Sequence, residues 1–106
     1  MVTLNDETSK GINDLARAIE KLHAAKASFL VSEPVHQRFR GVSVWHGVVS
    51  TFELKEHPSA TKCYAWSVPP EDGGQVRFYA VLHVLPVDSP VKAVRASLVA
   101  DSRALF

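Results

Sequence analysis

The side chains of this sequence that could do chemistry are its histidines and its single cysteine. The five histidines are His23, His36, His46, His57 and His83. No two of them have the separation of a metal-binding motif, and Cys63 has no second thiol to share a metal or a disulfide. The sequence therefore predicts no metal site and no cofactor.

The sequence also does not point to a catalytic nucleophile or an acid–base pair. Cys63 alternates with Ala65 along an apolar strand face, which predicts a buried, inert thiol. The acidic residues do not converge by their spacing, and no serine lies in a nucleophile-elbow pattern. His83 is the one candidate for a general base, because it shares a strand face with Tyr79 and Arg77. No catalytic residue is predicted beyond this hypothesis.

The elements that position these residues follow from hydrophobic periodicity. Apolar residues at steps of three and four predict a first helix over Ser9–Ala25 and a last helix that begins at Pro90 with Asp88 or Ser89 as its N-cap. Alternation at a period of two predicts four strands between them. Their ranges are Ala27–Glu33, Val42–Lys55, Thr61–Val68 and Gln75–Leu85.

Two connections carry distinctive residues. Pro34–Gly41 contains Arg38, Phe39 and Arg40 and is predicted to be a loop, the only basic cluster of the chain. Pro69–Gly74 has the composition of a hairpin turn. Short connections between consecutive strands favour antiparallel neighbours, so Trp66 is expected opposite Arg77 and Tyr64 opposite Tyr79. On the preceding hairpin, Glu53 is expected opposite Lys62 and Thr51 opposite Tyr64.

The order of elements predicts one α+β domain over residues 1–106, with residues 1–8 flexible. Its architecture is a four-stranded antiparallel meander with an N-terminal and a C-terminal helix packed on one face (α-β-β-β-β-α). The aliphatic strand face is expected to form the core under both helices. The opposite face then carries the residues Trp45, Tyr64, Trp66 and Tyr79, with Arg77 and His83 at its edge.

Soluble monomers seldom expose a contiguous patch of large rings, so this face needs an explanation. Three explanations are open. The first strand, a loop, or Leu105 and Phe106 could cover them as a second small core. Two copies of the chain could meet through them, because interfaces favour Tyr, Trp and Arg. Alternatively, the rings could line a concave cleft that binds a small ligand. We favour a non-enzymatic binding protein that is a homodimer, with a small-molecule-binding module as the alternative.

Charge and composition restrict the partners. The net charge is +1, which argues against a nucleic-acid partner even though Arg38, Arg40 and Arg77 lie near aromatic residues. Apolar runs are shorter than the roughly 20 residues that cross a bilayer, so no membrane segment is expected. The lone cysteine and the polar N-terminal stretch predict a cytoplasmic protein.

The segments Lys62–Ser67 and Arg77–Val94 resemble small uncharacterised proteobacterial proteins, some of which are carried as integron gene cassettes. The likeness extends from about Leu15 to Arg103 and implies a soluble bacterial accessory protein. It brings no assigned activity and no functional residues. The topology of one helix followed by a four-stranded meander is also similar to cystatin-like and nuclear-transport-factor-like folds, from which the additional final helix departs.

Overall fold

A computed structural model describes residues 6–69 and 74–104 of the chain. Its elements are α1 (Asp6–His23), β1 (Lys26–Phe39), β2 (Val42–Lys55), β3 (Lys62–Val68), β4 (Arg77–Leu82) and α2 (Pro90–Ala104). The four strands form one antiparallel sheet in the order β1-β2-β3-β4. The predicted α+β class and the α-β-β-β-β-α order are therefore confirmed.

The first strand is twice as long as the sequence predicted. β1 continues through Pro34 to Phe39 and pairs with β2 along its length, with irregularities after Phe29 and after Gln37. The predicted loop at Pro34–Gly41 is wrong. Proline is tolerated because β1 is an edge strand, where its missing N–H costs no ladder bond. The actual turn is Arg40-Gly41, whose φ angles of 52° and 78° are both positive, as a tight hairpin requires.

The register of the sheet is partly as predicted. Glu53 lies opposite Lys62 and Thr51 opposite Tyr64, which confirms the expected pairing of β2 with β3. Between β3 and β4 the expected pairing is wrong by two residues, because Tyr79 lies opposite Trp66. A slip of two keeps every side chain on its face, and it allows the Trp66 and Tyr79 rings to stack. The strand itself is shorter than predicted and ends before His83.

The two helices lie on opposite faces of the sheet, not on one face as predicted. Leu15 and Ile19 of α1 pack against Phe52, Cys63 and Ala65. On the other face, α2 packs its Ala93 and Val94 against Val49, Tyr64 and Trp66. The physical reason is the size of the aromatic face, since burying its large rings stabilises the fold more than leaving them in water.

Residues 1–5, residues 70–73 of the predicted hairpin turn, and Leu105 and Phe106 lie outside the described residues. Asp6, Glu7 and Thr8 belong to α1. The flexibility expected for residues 1–8 stays a prediction. Over the described part of the chain, neither helix combines the length and the apolar character needed to cross a membrane.

Candidate functional site

The predicted aromatic residues share one face of the sheet and contact one another. The Trp45 and Trp66 rings meet edge to face, with centroids 5.8 Å apart. Trp66 stacks on Tyr79 at 5.4 Å with an angle of 7° between the ring planes, and the Arg77 guanidinium lies 5.5 Å from the centre of the Tyr79 ring. We call Trp45, Tyr64, Trp66 and Tyr79 the aromatic cluster.

A glycine makes room for the first of these rings. A Cβ atom on Gly47 would lie 2.9 Å from the Trp45 indole, well inside the van der Waals distance. The indole therefore lies back over the β2 backbone, which directs it toward Trp66. This contact was not foreseen, although a lone glycine within a strand often marks a close approach of this kind.

Tyr64 joins the aromatic cluster to His83. Its hydroxyl lies 2.6 Å from the His83 Nδ1. Burial, followed by the negative charges of Asp88 and Glu33, raises the pKa of the Tyr64 phenol. The phenol is therefore protonated near neutral pH, and the tautomer of His83 decides whether the phenol donates this hydrogen bond to Nδ1 or accepts it from Nδ1. Because this bond occupies Nδ1, only Nε2 of His83 remains to act as a base toward a substrate.

The aromatic cluster is not an open surface. Tyr64 and Trp66 are only 4% and 2% exposed, and α2 covers them within a single chain. Trp45, Tyr79 and His83 are half-buried at the margin, and Arg77 is exposed. The aromatic residues thus belong to a second small core, one of the three explanations given above. The element that covers them is α2 and not the first strand, a loop, or Leu105 and Phe106. Little of Tyr64 or Trp66 is left for a second copy to contact.

An uncovered surface does exist, on the face that α1 only partly covers. The side chains of Ser50, Ala65 and Ala80 form the last covered row on this face, and Ser50 and Ala65 are buried. The next position outward on each strand is exposed. We call these four residues the open patch: Pro34 paired with Val48, and Ser67 paired with Phe78.

Two histidines extend the open patch toward the β1–β2 turn. His36 lies opposite His46 in the register, and both are exposed. Their ring centroids are 5.3 Å apart with an angle of 75° between the planes, and His36 Nε2 lies 2.8 Å from the Ser43 hydroxyl oxygen. The sequence did not reveal this pair because the predicted loop separated the two residues. The alternation on both sides of Arg40-Gly41 was the signal that could have joined them.

Grooves flank α2. One, of about 380 Å³, lies between α2 and the edge strand β4 and is lined by Phe78–Val81 together with Ala96, Ser97 and Ala100. A second, of about 480 Å³, shares Ala96 and Ala100 with the first and continues past Val87, Lys92 and Val99. Both are open and mainly apolar, so they could hold a small apolar ligand only loosely.

Other sites for chemistry are sparse over the part of the chain that the structure describes. There, no three side chains of His, Cys, Asp or Glu come close enough to hold a metal ion together. Cys63 is fully buried, and this burial raises the pKa of its thiol to about 12. A thiol in this environment is a poor nucleophile.

Comparison with known proteins adds no name to this site: no protein-family model, curated protein or solved structure matches the chain.

Proposed function

We propose that this protein is a non-enzymatic interaction protein that forms a homodimer, and that the two copies meet through the open patch. The observation that supports this most directly is the placement of α2. Because α2 covers the aromatic cluster, no second helix of the described residues lies on the face that α1 packs against, and Val48 of this face is left 58% exposed. The contact surface we expect is therefore aliphatic and lies opposite the aromatic face.

The size of the patch favours a dimer of modest affinity. The sheet is four strands and about 15 Å wide as far as Ser50, and from Val48 to Val42 the paired strands β1 and β2 continue for about 20 Å. An area on the order of 300 Å² is typical of the largest apolar patch on a monomer, and it is smaller than the roughly 800 Å² per partner of a standard interface. We therefore expect the rim of the β1–β2 hairpin to contribute and the dissociation constant to be micromolar.

The charge of the chain is compatible with self-association. A net charge of +1 gives two copies little mutual repulsion. On the uncovered face, Pro34, Val48 and Phe78 are uncharged, and the hydroxyl groups of Ser32 and Ser50 satisfy each other at 2.8 Å. Two such surfaces can meet without burying an unpaired charge, which would oppose association.

The test is sedimentation equilibrium of the wild type and of Val48→Asp. The wild type should dimerise at micromolar concentrations, and the aspartate should shift the dissociation constant upward by at least tenfold because it buries a carboxylate. Val99→Asp is the matched control, since Val99 is 51% exposed but lies on α2. A wild type that is monomeric at several hundred micromolar would refute the proposal, as would an equal effect of both substitutions.

A small-molecule-binding module remains the second candidate, and the groove between α2 and β4 favours it. Its volume is within the usual range of ligand sites, and Tyr79 of the aromatic cluster lines it. Filling the groove with Ala96→Phe should abolish binding of an apolar fluorescent probe without changing the sedimentation of the protein. Unchanged probe binding by this variant would remove the candidate.

A further inference from the structure

We propose that His36 and His46 form a binding site for a divalent transition-metal ion on the exposed end of the β1–β2 hairpin. The two imidazoles come from opposite strands of one antiparallel pair, so the sheet holds their Cβ atoms close together. Imidazole nitrogen is a preferred ligand of zinc, copper and nickel ions. The site adjoins the open patch, but both ligands lie on one hairpin, so chelation does not need a second copy of the chain.

The distance between the rings supports chelation by both. With a metal–nitrogen bond of about 2.1 Å and a tetrahedral angle at the metal, the centroids of two ligating imidazoles lie about 5 Å apart. The observed separation is 5.3 Å. Small rotations of the two exposed side chains would bring one nitrogen of each ring to a shared ion without any movement of the backbone.

Ser43 fixes which nitrogen of His36 is free. If the ring donates its Nε2 hydrogen to the Ser43 oxygen 2.8 Å away, Nδ1 carries the lone pair and is the nitrogen available to a metal ion. A hydrogen bond from the non-ligating nitrogen of a metal-bound histidine is a regular feature of metal sites, because it fixes the tautomer and the orientation of the ring. Ser43 is thus a positioning residue.

The described residues provide no third His, Cys, Asp or Glu ligand, so we expect water to complete the coordination shell. The neighbouring Arg38, which pairs with Ser43, adds a positive charge that opposes a cation. Both facts predict an affinity in the micromolar range for Zn²⁺.

A second histidine pair shows what the site requires. His23 and His57 have centroids 6.3 Å apart, farther than the 5.3 Å of His36 and His46, and one nitrogen of each ring bonds to the backbone. His23 Nε2 lies 2.9 Å from the Ala80 carbonyl oxygen, and His57 Nδ1 accepts hydrogens from the amides of Ser59 and Ala60. This pair is the natural control.

The experiment is a titration of the full chain with ZnCl₂, followed by calorimetry and by the NMR signals of the imidazole rings. We expect one ion per chain and simultaneous shifts of both rings. His36→Ala and His46→Ala should each weaken binding at least tenfold, Ser43→Ala several-fold, and His57→Asn, whose oxygen can accept the same amide hydrogens, should leave it unchanged.

The chelate has a specific signature. In His36→Ala, the shift of the His46 ring at the same zinc concentration should be lost. If the His46 ring still shifts in that variant, the two histidines bind independently and the proposal is wrong. Absence of any shift at millimolar zinc would also overturn it. Because these readouts do not need a dimer, a monomeric protein that chelates zinc would refute the proposed function alone.

Discussion

Cys63 shows at the scale of one residue what burial does to chemistry. The sequence predicted a buried thiol from its alternation with Ala65, and the structure confirms it. In the folded protein the pKa of the thiol rises from 9.0 to about 12, so the folded state keeps a proton that the unfolded chain has lost in this interval. Stability therefore falls as the pH rises above 9.

This linkage predicts a pH-dependent effect of Cys63→Ala. Each pH unit between these two pKa values costs about 1.4 kcal/mol of unfolding free energy in the wild type but nothing in the variant. Urea denaturation at about pH 8 and about pH 10 should therefore show the wild type losing roughly 1 kcal/mol more than the variant. Equal losses in the two proteins would mean that the thiol titrates normally.

Gly47 offers a second residue-scale prediction. In Gly47→Ala the new Cβ atom should displace the Trp45 indole from its contact with Trp66. Overpacking of this kind lowers the free energy of unfolding by about 1–3 kcal/mol. The near-ultraviolet circular dichroism of the tryptophans should change as well.

Gly11→Ala is the matched control for this substitution. No atom lies within 4 Å of the position that a Cβ of residue 11 would take, and alanine favours a helix. It should stabilise the protein by about 0.5–1 kcal/mol and leave the tryptophan signal unchanged. An unperturbed tryptophan signal in Gly47→Ala would contradict the close contact.

At the scale of elements, β2 was predicted with the bounds it has, and β1 was not. β1 contains Pro34 and an extra, unpaired residue at Leu30, whereas the extra residue of β2, Val44, lies near its start and leaves the bounds of that strand unchanged. Periodicity cannot show that a strand lies at an edge, where proline is harmless. For the same reason it could not pair His36 with His46, which depends on the two-residue turn between them.

The cover that α2 provides can be tested with Val94→Asp. Val94 is fully buried against the aromatic cluster. A carboxylate at this position should lower the free energy of unfolding by about 3 kcal/mol or more and detach α2 from the sheet. Tryptophan emission should move to longer wavelength because Trp66 becomes hydrated. Val99→Asp, at an exposed position of the same helix, should do neither. A blue emission maximum retained in folded Val94→Asp would show that another element covers the rings.

At the scale of the whole molecule, the sequence predicted both faces of the sheet but not which face each helix covers. Strand parity separated the aliphatic residues from the aromatic ones correctly, because a register error of two residues leaves parity unchanged. The choice of face for α2 depends on how residues 83–89 cross the end of the sheet. No local pattern encodes that path, so the open surface was assigned to the wrong side.

The placement of the helices leads to one further expectation for the dimer. If the copies meet through the open patch, the aromatic cluster stays inside each copy, and dilution from dimer to monomer should leave the tryptophan emission maximum unchanged. A shift of the emission maximum on dilution would instead indicate that the aromatic face takes part in the contact.

Pro34 and His23 each reduce the number of unpaired backbone groups on an edge strand of the sheet. Each outer strand of an open sheet offers unpaired backbone groups to any passing chain, which is how misassembly and fibril growth begin. In β1 the ring of Pro34 removes one such donor, and in β4 the imidazole of His23 occupies the carbonyl of Ala80. Both edge strands therefore disfavour edge-to-edge pairing with another chain. A discrete assembly is then expected to form through face-to-face contact of the sheets.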